Sequence, residues 1–192
     1  PTITREGGAL GSYYGYVADG YFQSQEEIDM ADCVYGGNKA NIKPGYIRYV
    51  DVNHDGEINS KDRVILGNST PRYEYSFTLG GQWKGIDLSL FFQGVGKRDL
   101  YYSGAGARPL VQNSTIFKSQ LDTWSPENPD AEYPLLLVDA GSTNMNNIVS
   151  SFWIKSGAYL RLKNLTVGYT LPKKWTNRVS IDNLRLYFAA SN

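Results

Sequence analysis

The chain has 192 residues, enough for one domain with a sizeable core, and its 19 basic and 19 acidic side chains balance. That balance gives no electrostatic case for a nucleic-acid partner or an anionic membrane surface. One cysteine, Cys33, excludes an internal disulfide, and one histidine, His54, excludes a histidine-dependent triad elsewhere. No apolar run is long enough for a spanning helix, but alternating barrel strands escape such a scan.

In chain order, Gly11–Val17 reads as a strand, within a composition of 15 tyrosines and 20 glycines that favours twisted β structure. Gln25–Ala31 reads as a short helix capped by Ser24, with Glu26 and Glu27 in its first turn. Gly45–Val50 is a strand leading into an acidic loop, 51–62. A hairpin follows. Tyr73, Tyr75, Phe77, Leu79, Gly81 and Trp83 alternate with polar residues or glycine, Lys84-Gly85 makes the turn, and Ile86, Leu88, Leu90 and Phe92 resume the alternation. A two-residue turn sets Trp83 opposite Ile86, Leu79 opposite Leu90 and Phe77 opposite Phe92. Every large apolar residue but Phe91 then shares one face. Thr115–Asp122 is expected to be a second short helix. Ala158–Leu171 changes phase near Lys163-Asn164, which points to a β-bulge, and Asn183–Asn192 is a last strand.

The connections are unequal. Lys84-Gly85 is minimal, whereas 18–72 and 97–156 are long. Short turns on one side and long loops on the other are the habit of outer-membrane barrels, and arms of about 10 residues suit a tilted crossing. With Lys84-Gly85 on the periplasmic side, 18–72 and 97–156 become external. The expected fold is all-β: about five antiparallel strands of a large barrel with two long extracellular loops carrying short helices. Five strands cannot close such a barrel, and the chain lacks an initiator methionine and ends in strand-like sequence, so a fragment of a longer protein is expected.

The loop Asp51-Val52-Asn53-His54-Asp55-Gly56-Glu57-Ile58-Asn59-Ser60-Lys61-Asp62 carries oxygen-bearing side chains at the spacing of a calcium loop, with glycine where such loops turn sharply. Asp51, Asn53, Asp55 and Asp62 would offer side-chain oxygens, Glu57 its carbonyl, and Asn59 a direct or water-mediated contact to a structural Ca2+. Asp62 stands where the longer glutamate usually grips in bidentate fashion. The other reading is a loop held by its own Asx-type hydrogen bonds. Both readings make the loop a structural brace rather than a catalytic site.

The aromatic and aliphatic face of the hairpin fits a lipid-facing band or the inner face of a soluble sandwich. Tyr101, Tyr102 and Trp124 are candidates for stacking on a sugar or peptide. Alternatively they pack the loop, with Trp124 anchoring the turn through Pro126 to Pro134. Lys173, Lys174 and Arg178 read as a solvated basic turn.

Several motifs recur together: Tyr14-Gly15-Tyr16-Val17 with Asp19-Gly20, Gly45-Tyr46-Ile47-Arg48-Tyr49-Val50-Asp51, and Asp62-Arg63-Val64-Ile65-Leu66-Gly67-Asn68. Trp83-Lys84-Gly85-Ile86-Asp87-Leu88-Ser89, Phe92-Gln93-Gly94-Val95-Gly96, and Trp124-Ser125-Pro126-Glu127-Asn128-Pro129 with Tyr133-Pro134 follow. Leu160 to Tyr169 closes the set. In this order the chain resembles the C-terminal barrel region of SusC/RagA-type TonB-dependent outer-membrane transporters, over nearly all of its length. The resemblance implies a barrel on the order of 22 strands, a plug domain, a SusD-type surface lipoprotein that captures oligosaccharides or peptides, and energy delivered through TonB. The plug and final strands are not in this sequence. The function implied is therefore barrel wall and extracellular loops of an importer in the bacterial outer membrane. The alternative is a soluble calcium-dependent β-domain binding glycans or a protein partner. No convergent acid, base or nucleophile set argues for an enzyme.

Overall fold

A computed structural model describes residues 2–104, 106–110, 115–137, 145–177 and 180–192. In chain order the strands are β1 (Thr2–Ile3), β2 (Ser12–Gly15), β3 (Ala18–Tyr21), β4 (Ile47–Tyr49), β5 (Val64–Asn68), β6 (Arg72–Trp83), β7 (Ile86–Lys97), β8 (Asp99–Tyr101), β9 (Ile154–Ser156), β10 (Tyr159–Thr170) and β11 (Arg185–Ser191). Two short helices accompany them, α1 (Gln25–Met30) and α2 (Lys173–Thr176). The chain divides into two compact units, Pro1–Thr70 with Asp99–Ser156, and Pro71–Arg98 with Gly157–Asn192.

The second unit is a single antiparallel sheet in the order β11-β10-β7-β6. Its central hairpin turns on Lys84 and Gly85, whose φ values are both positive, 48° and 86°. Two left-handed residues give the backbone twist that matches flanking strands. The register follows: Trp83 pairs with Ile86, Leu79 with Leu90, Phe77 with Phe92, and on the opposite face Gln82 with Asp87. The Phe77 and Phe92 rings stack at 5.0 Å. β10 joins β7 with a register shift between Leu162 and Asn164, so the expected bulge is present and Lys163 is the extra residue. Because of that extra residue, Leu165 and Val167 rejoin the face of Leu162, opposite Leu90 and Leu88. β11 extends the sheet, pairing Phe188 with Val167 and Leu186 with Tyr169.

The first unit is built from short strands and loops. β1, β2 and β5 form a three-stranded sheet, and β3–β4 and β8–β9 form two-stranded ribbons. Four of the five expected strands thus lie in one sheet, while 12–15, a strand as expected, pairs with 2–3 and 64–68 instead. Ser24 caps α1, its Oγ accepting from the Glu27 N–H at 3.2 Å. The second expected helix, Thr115–Asp122, is only a 3-10 turn at Lys118–Gln120. The Gln120 side chain accepts the Phe117 N–H, and the Asp122 carboxylate accepts from the Asn128 side chain and the Glu132 N–H. These local bonds fold the chain back rather than letting a helix propagate.

This unit has a tyrosine-rich core. Tyr16, Tyr21, Ile47, Tyr49, Ile58, Trp124 and Ala131 cluster together, and Phe22, Ile28, Val34 and Ile42 form a second cluster around α1. Tyr16, Tyr35 and Tyr49 meet pairwise at ring separations of 5.2 to 5.9 Å. Each tyrosine contributes ring area and keeps a hydroxyl that needs a partner: Tyr49 donates to the Met145 carbonyl and Tyr21 to the Ala131 carbonyl. Burial pushes both phenols further above their ordinary range.

Candidate functional site

The 51–62 loop starts two residues after β4 and closes on itself. The Asp51 carboxylate accepts the N–H groups of His54 and Gly56, both at 2.8 Å. Asn53 Oδ1 accepts from Asp55 N, Asp55 Oδ1 from Glu57 N, and Asn59 Oδ1 from Lys61 N. Asp62 is fully buried and holds three amides: Oδ1 accepts from Val52 and Asn53, and Oδ2 accepts from Asn59 at 2.8 Å in a capping box. Positive φ at His54 (59°) and Gly56 (84°) makes the turns. Ile58, the apolar residue at the eighth position of the loop, is buried in the tyrosine core and bridges to Tyr35. Burial pushes the Asp62 carboxyl up, but the N–H groups of Asn59, Asn53 and Val52 outweigh it and hold the group below the usual carboxylate value. Asp55 is also held low, first by the Asn53 side chain, with Lys61 Nζ 3.3 Å away.

The six residues expected around a cation lie in one loop, and in this conformation the side chains of Asp51, Asn53, Asp55, Asn59 and Asp62 accept its backbone N–H groups, while Glu57 accepts from the Asn59 side chain. Among the described residues no three acidic, histidine or cysteine side chains converge on a metal position. Asp62 Oδ1 already receives two donors, and Lys61 supplies part of the positive charge a cation would bring. The donor set fits a self-bonded loop better than an open calcium cage.

Of the aromatic candidates, Tyr102 is open, 47% exposed, with its N–H donating to the Trp153 carbonyl. Tyr101 is half-buried in β8, packed by Tyr13 and by Arg108, whose Nη2 donates to its hydroxyl. Trp124 is only 6% exposed: its ring lies in the core and its Nε1 donates to the Gln23 side chain. Trp124 is thus a packing residue, because closing the turn that follows it required a large buried anchor. Sequence reasoning missed Arg108, whose guanidinium lies 5.0 Å from the Trp153 ring and 5.4 Å from that of Tyr101. Nothing in the spacing of Arg108 and Trp153, 45 positions apart in the chain, signals the contact. Arg178 lies outside the described residues.

The four-stranded sheet has two chemically distinct faces. One carries Phe77, Leu79, Trp83, Ile86, Leu88, Leu90, Leu165, Val167, Leu186 and Phe188. Much of it is open, with Leu79 at 54% and Leu186 at 61%. The other carries Ser76, Thr78, Gln82, Asp87, Ser89, Gln93, Asn164, Thr166 and Arg185, with Phe91 and Tyr187 among them. On the apolar face the Tyr75 ring lies over Gly94, where a β-carbon would come within 2.5 Å of it. On the polar face Arg185 and Asp87 form a two-point ion pair.

Long antiparallel strands with one apolar face and one polar face have the pattern of a piece of β-barrel wall. Over nearly all of its length the chain is similar to a part of TonB-dependent receptors, SusC among them. It is 33% identical over 195 aligned residues to TonB-dependent receptor P3 of Formosa agariphila, covering 99% of this chain. It is 25% identical to TonB-dependent receptor SusC of Bacteroides thetaiotaomicron, covering 84% of this chain. It spans only 18% and 14% of those two relatives. Solved structures of the RagAB peptide transporter align over 94% of this chain at TM-scores of 0.60 and, in the open-open state, 0.57, both at 19% identity, and share the fold. No family model matches the chain.

Proposed function

We propose that the chain supplies barrel wall and extracellular loops to a TonB-energised importer of oligosaccharides or peptides in the bacterial outer membrane. The observation that carries this is the two-faced sheet. In a soluble domain an apolar face from Phe77 to Phe188 would demand a covering layer, whereas lipid covers it without one. The polar face then lines the lumen, the Lys84-Gly85 turn is periplasmic, and 18–72 and 97–156 are external loops. Ligand contact is open to Tyr102 and not to Trp124. A SusD-like lipoprotein and TonB would engage other parts of the full protein, as the family suggests. The role is transport and not catalysis.

Within the external loops, 51–62 acts as a brace closed by its own hydrogen bonds, with a structural Ca2+ as the competing reading of the same residues. A soluble calcium-dependent domain is the weaker alternative, since it leaves the apolar face unexplained.

Thiol scanning of the full-length protein in its native membrane tests the wall. On a Cys33→Ser background, cysteine at Leu79 or Leu88 should react with a lipid-soluble maleimide and resist a charged one. Cysteine at Thr78 or Ser89 should behave oppositely. Equal reaction of both pairs with the charged reagent would overturn the reading.

A further inference from the structure

We propose that the short-turn end of the sheet binds anionic phospholipid head groups through Lys84, Lys173 and Lys174, in the leaflet of the outer membrane that faces the periplasm. The inference rests on the barrel-wall reading and goes beyond it, from a wall that tolerates lipid to a site that selects one. The three lysines meet at one end because of the strand pairing. Tyr169 pairs with Ile86, the Thr170 N–H donates to the Gly85 carbonyl at 2.7 Å, and α2 begins three residues later. The Leu171 N–H donates to the Leu184 carbonyl, closing the connection against the same end. Between Leu171 and Leu184 the sequence holds one acidic residue, Asp182. None of the three lysines forms an ion pair among the described residues.

The aromatic residues set the depth. Trp83 is 69% and Trp175 61% exposed, and indoles favour the interface between hydrocarbon and head groups. Lys84 Nζ lies 4.6 Å from the centroid of the Trp83 ring, at the edge of the apolar face. Directly along that face, Ile86, Val167, Tyr169, Leu186 and Phe188 line an apolar hollow. An acyl chain in the hollow and a phosphate at the lysines satisfy both halves of one lipid. Lys84 holds a left-handed conformation in which asparagine, aspartate or glycine is more at ease.

Native mass spectrometry of the full-length protein, released from its membrane in mild detergent, tests the proposal with phosphatidylglycerol and phosphatidylethanolamine as probes. Phosphatidylglycerol should bind preferentially. Lys84→Asn suits the turn and removes the charge, and should weaken that binding about fivefold, with roughly 100-fold for the triple variant with Lys173→Gln and Lys174→Gln. Phosphatidylethanolamine binding should hold. Equal affinity for the two lipids in the parent overturns the proposal. So does an unchanged triple variant, or an equal loss in a Lys118→Gln, Lys155→Gln control. Preference for lipopolysaccharide also overturns it, by putting this end in the opposite leaflet. A protein found in the soluble fraction would instead overturn the barrel-wall reading itself.

Discussion

Arg185 reaches Asp87 across an entire intervening strand. The guanidinium of β11 donates to the carboxylate of β7 from Nε at 2.9 Å and Nη2 at 2.5 Å, passing over Gly168 of β10. A β-carbon on Gly168 would lie 2.4 Å from Asp87 Oδ1 and 2.6 Å from Arg185 Nη2. The glycine is therefore the gap through which two strands that never pair are tied together, as the planar fork of arginine allows. Gly168→Ala should part the pair. In the full-length protein, Gly168→Ala and Arg185→Gln should each lower the temperature at which the folded barrel is lost. The double variant should be no worse than the poorer single one. Additive losses would mean that glycine serves some other purpose.

The two faces of β6 make opposite predictions at adjacent positions. Leu79 sits against Leu90 on the apolar face, and Thr78 lies on the other. Arginine at a lipid-facing position near the midplane costs about 2–4 kcal/mol, and far less on the luminal side. Leu79→Arg should therefore cut the yield of assembled protein and lower its urea midpoint in bicelles, while Thr78→Arg leaves both near the parent. Similar losses at the two positions would argue against lipid on either face.

What the sequence disclosed depended on the range of the interaction. The Phe77–Phe92 register, the Lys84-Gly85 turn, the bulge at Lys163 and the Ser24 cap were all legible, since each depends on neighbours a few residues apart or on strict alternation. The shared face of β10 and β11 extended the same logic. Contacts closed by tertiary structure were not legible. Thr115–Asp122 was expected to be a helix, but Asp122 is recruited to a turn ten residues on, and that side-chain bond outweighs weak helix propensity. For Trp124 the sequence left stacking on a ligand and anchoring the loop both open, because nothing local revealed that Gly45 and Leu135 would close around it. Gly168 carried no signal at all, since its role exists only once three strands are aligned. In the candidate brace, the spacing of oxygens was visible, but not which oxygens the backbone would claim.

Gly45 makes a sharp test of the loop unit's core. Its φ is +87°, its N–H donates to the Phe22 carbonyl at 2.7 Å and its carbonyl accepts from Leu135 N at 2.8 Å. A β-carbon there would fall 2.4 Å from the Trp124 ring and 2.7 Å from Leu135 Cβ. Gly45→Ala combines a left-handed strain of about 1–2 kcal/mol with overpacking of about 1–3 kcal/mol. Hydrogen exchange in the full-length protein should speed up at Phe22, Trp124 and Leu135 and stay unchanged in β6 and β7. Protection matching the parent at all three would show that Trp124 moves aside freely.

Asp62 allows the brace and the cation to be separated. Its buried carboxylate satisfies the amides of Val52, Asn53 and Asn59, so Asp62→Ala strands three donors and should raise local opening by on the order of 2–4 kcal/mol. The pH sign follows from its lowered folded pKa. A depressed carboxyl contributes stability that is full above the ordinary aspartate value of about 3.9 and is lost as pH falls through the folded value. Acidification below that window should therefore release the amides of 52, 53 and 59 in the parent, and much less in Asp62→Ala, which has no such proton to bind. If the internal hydrogen bonds are sufficient, these amides should be equally protected at neutral pH in chelator and in millimolar calcium. Calcium-dependent protection that disappears in both Asp51→Ala and Asp55→Ala would instead assign the loop to the metal. In that case the backbone bonds to Asp62 orient a ligand set, and the acid transition should move with calcium concentration, because protons and the cation would then compete for the same carboxylates.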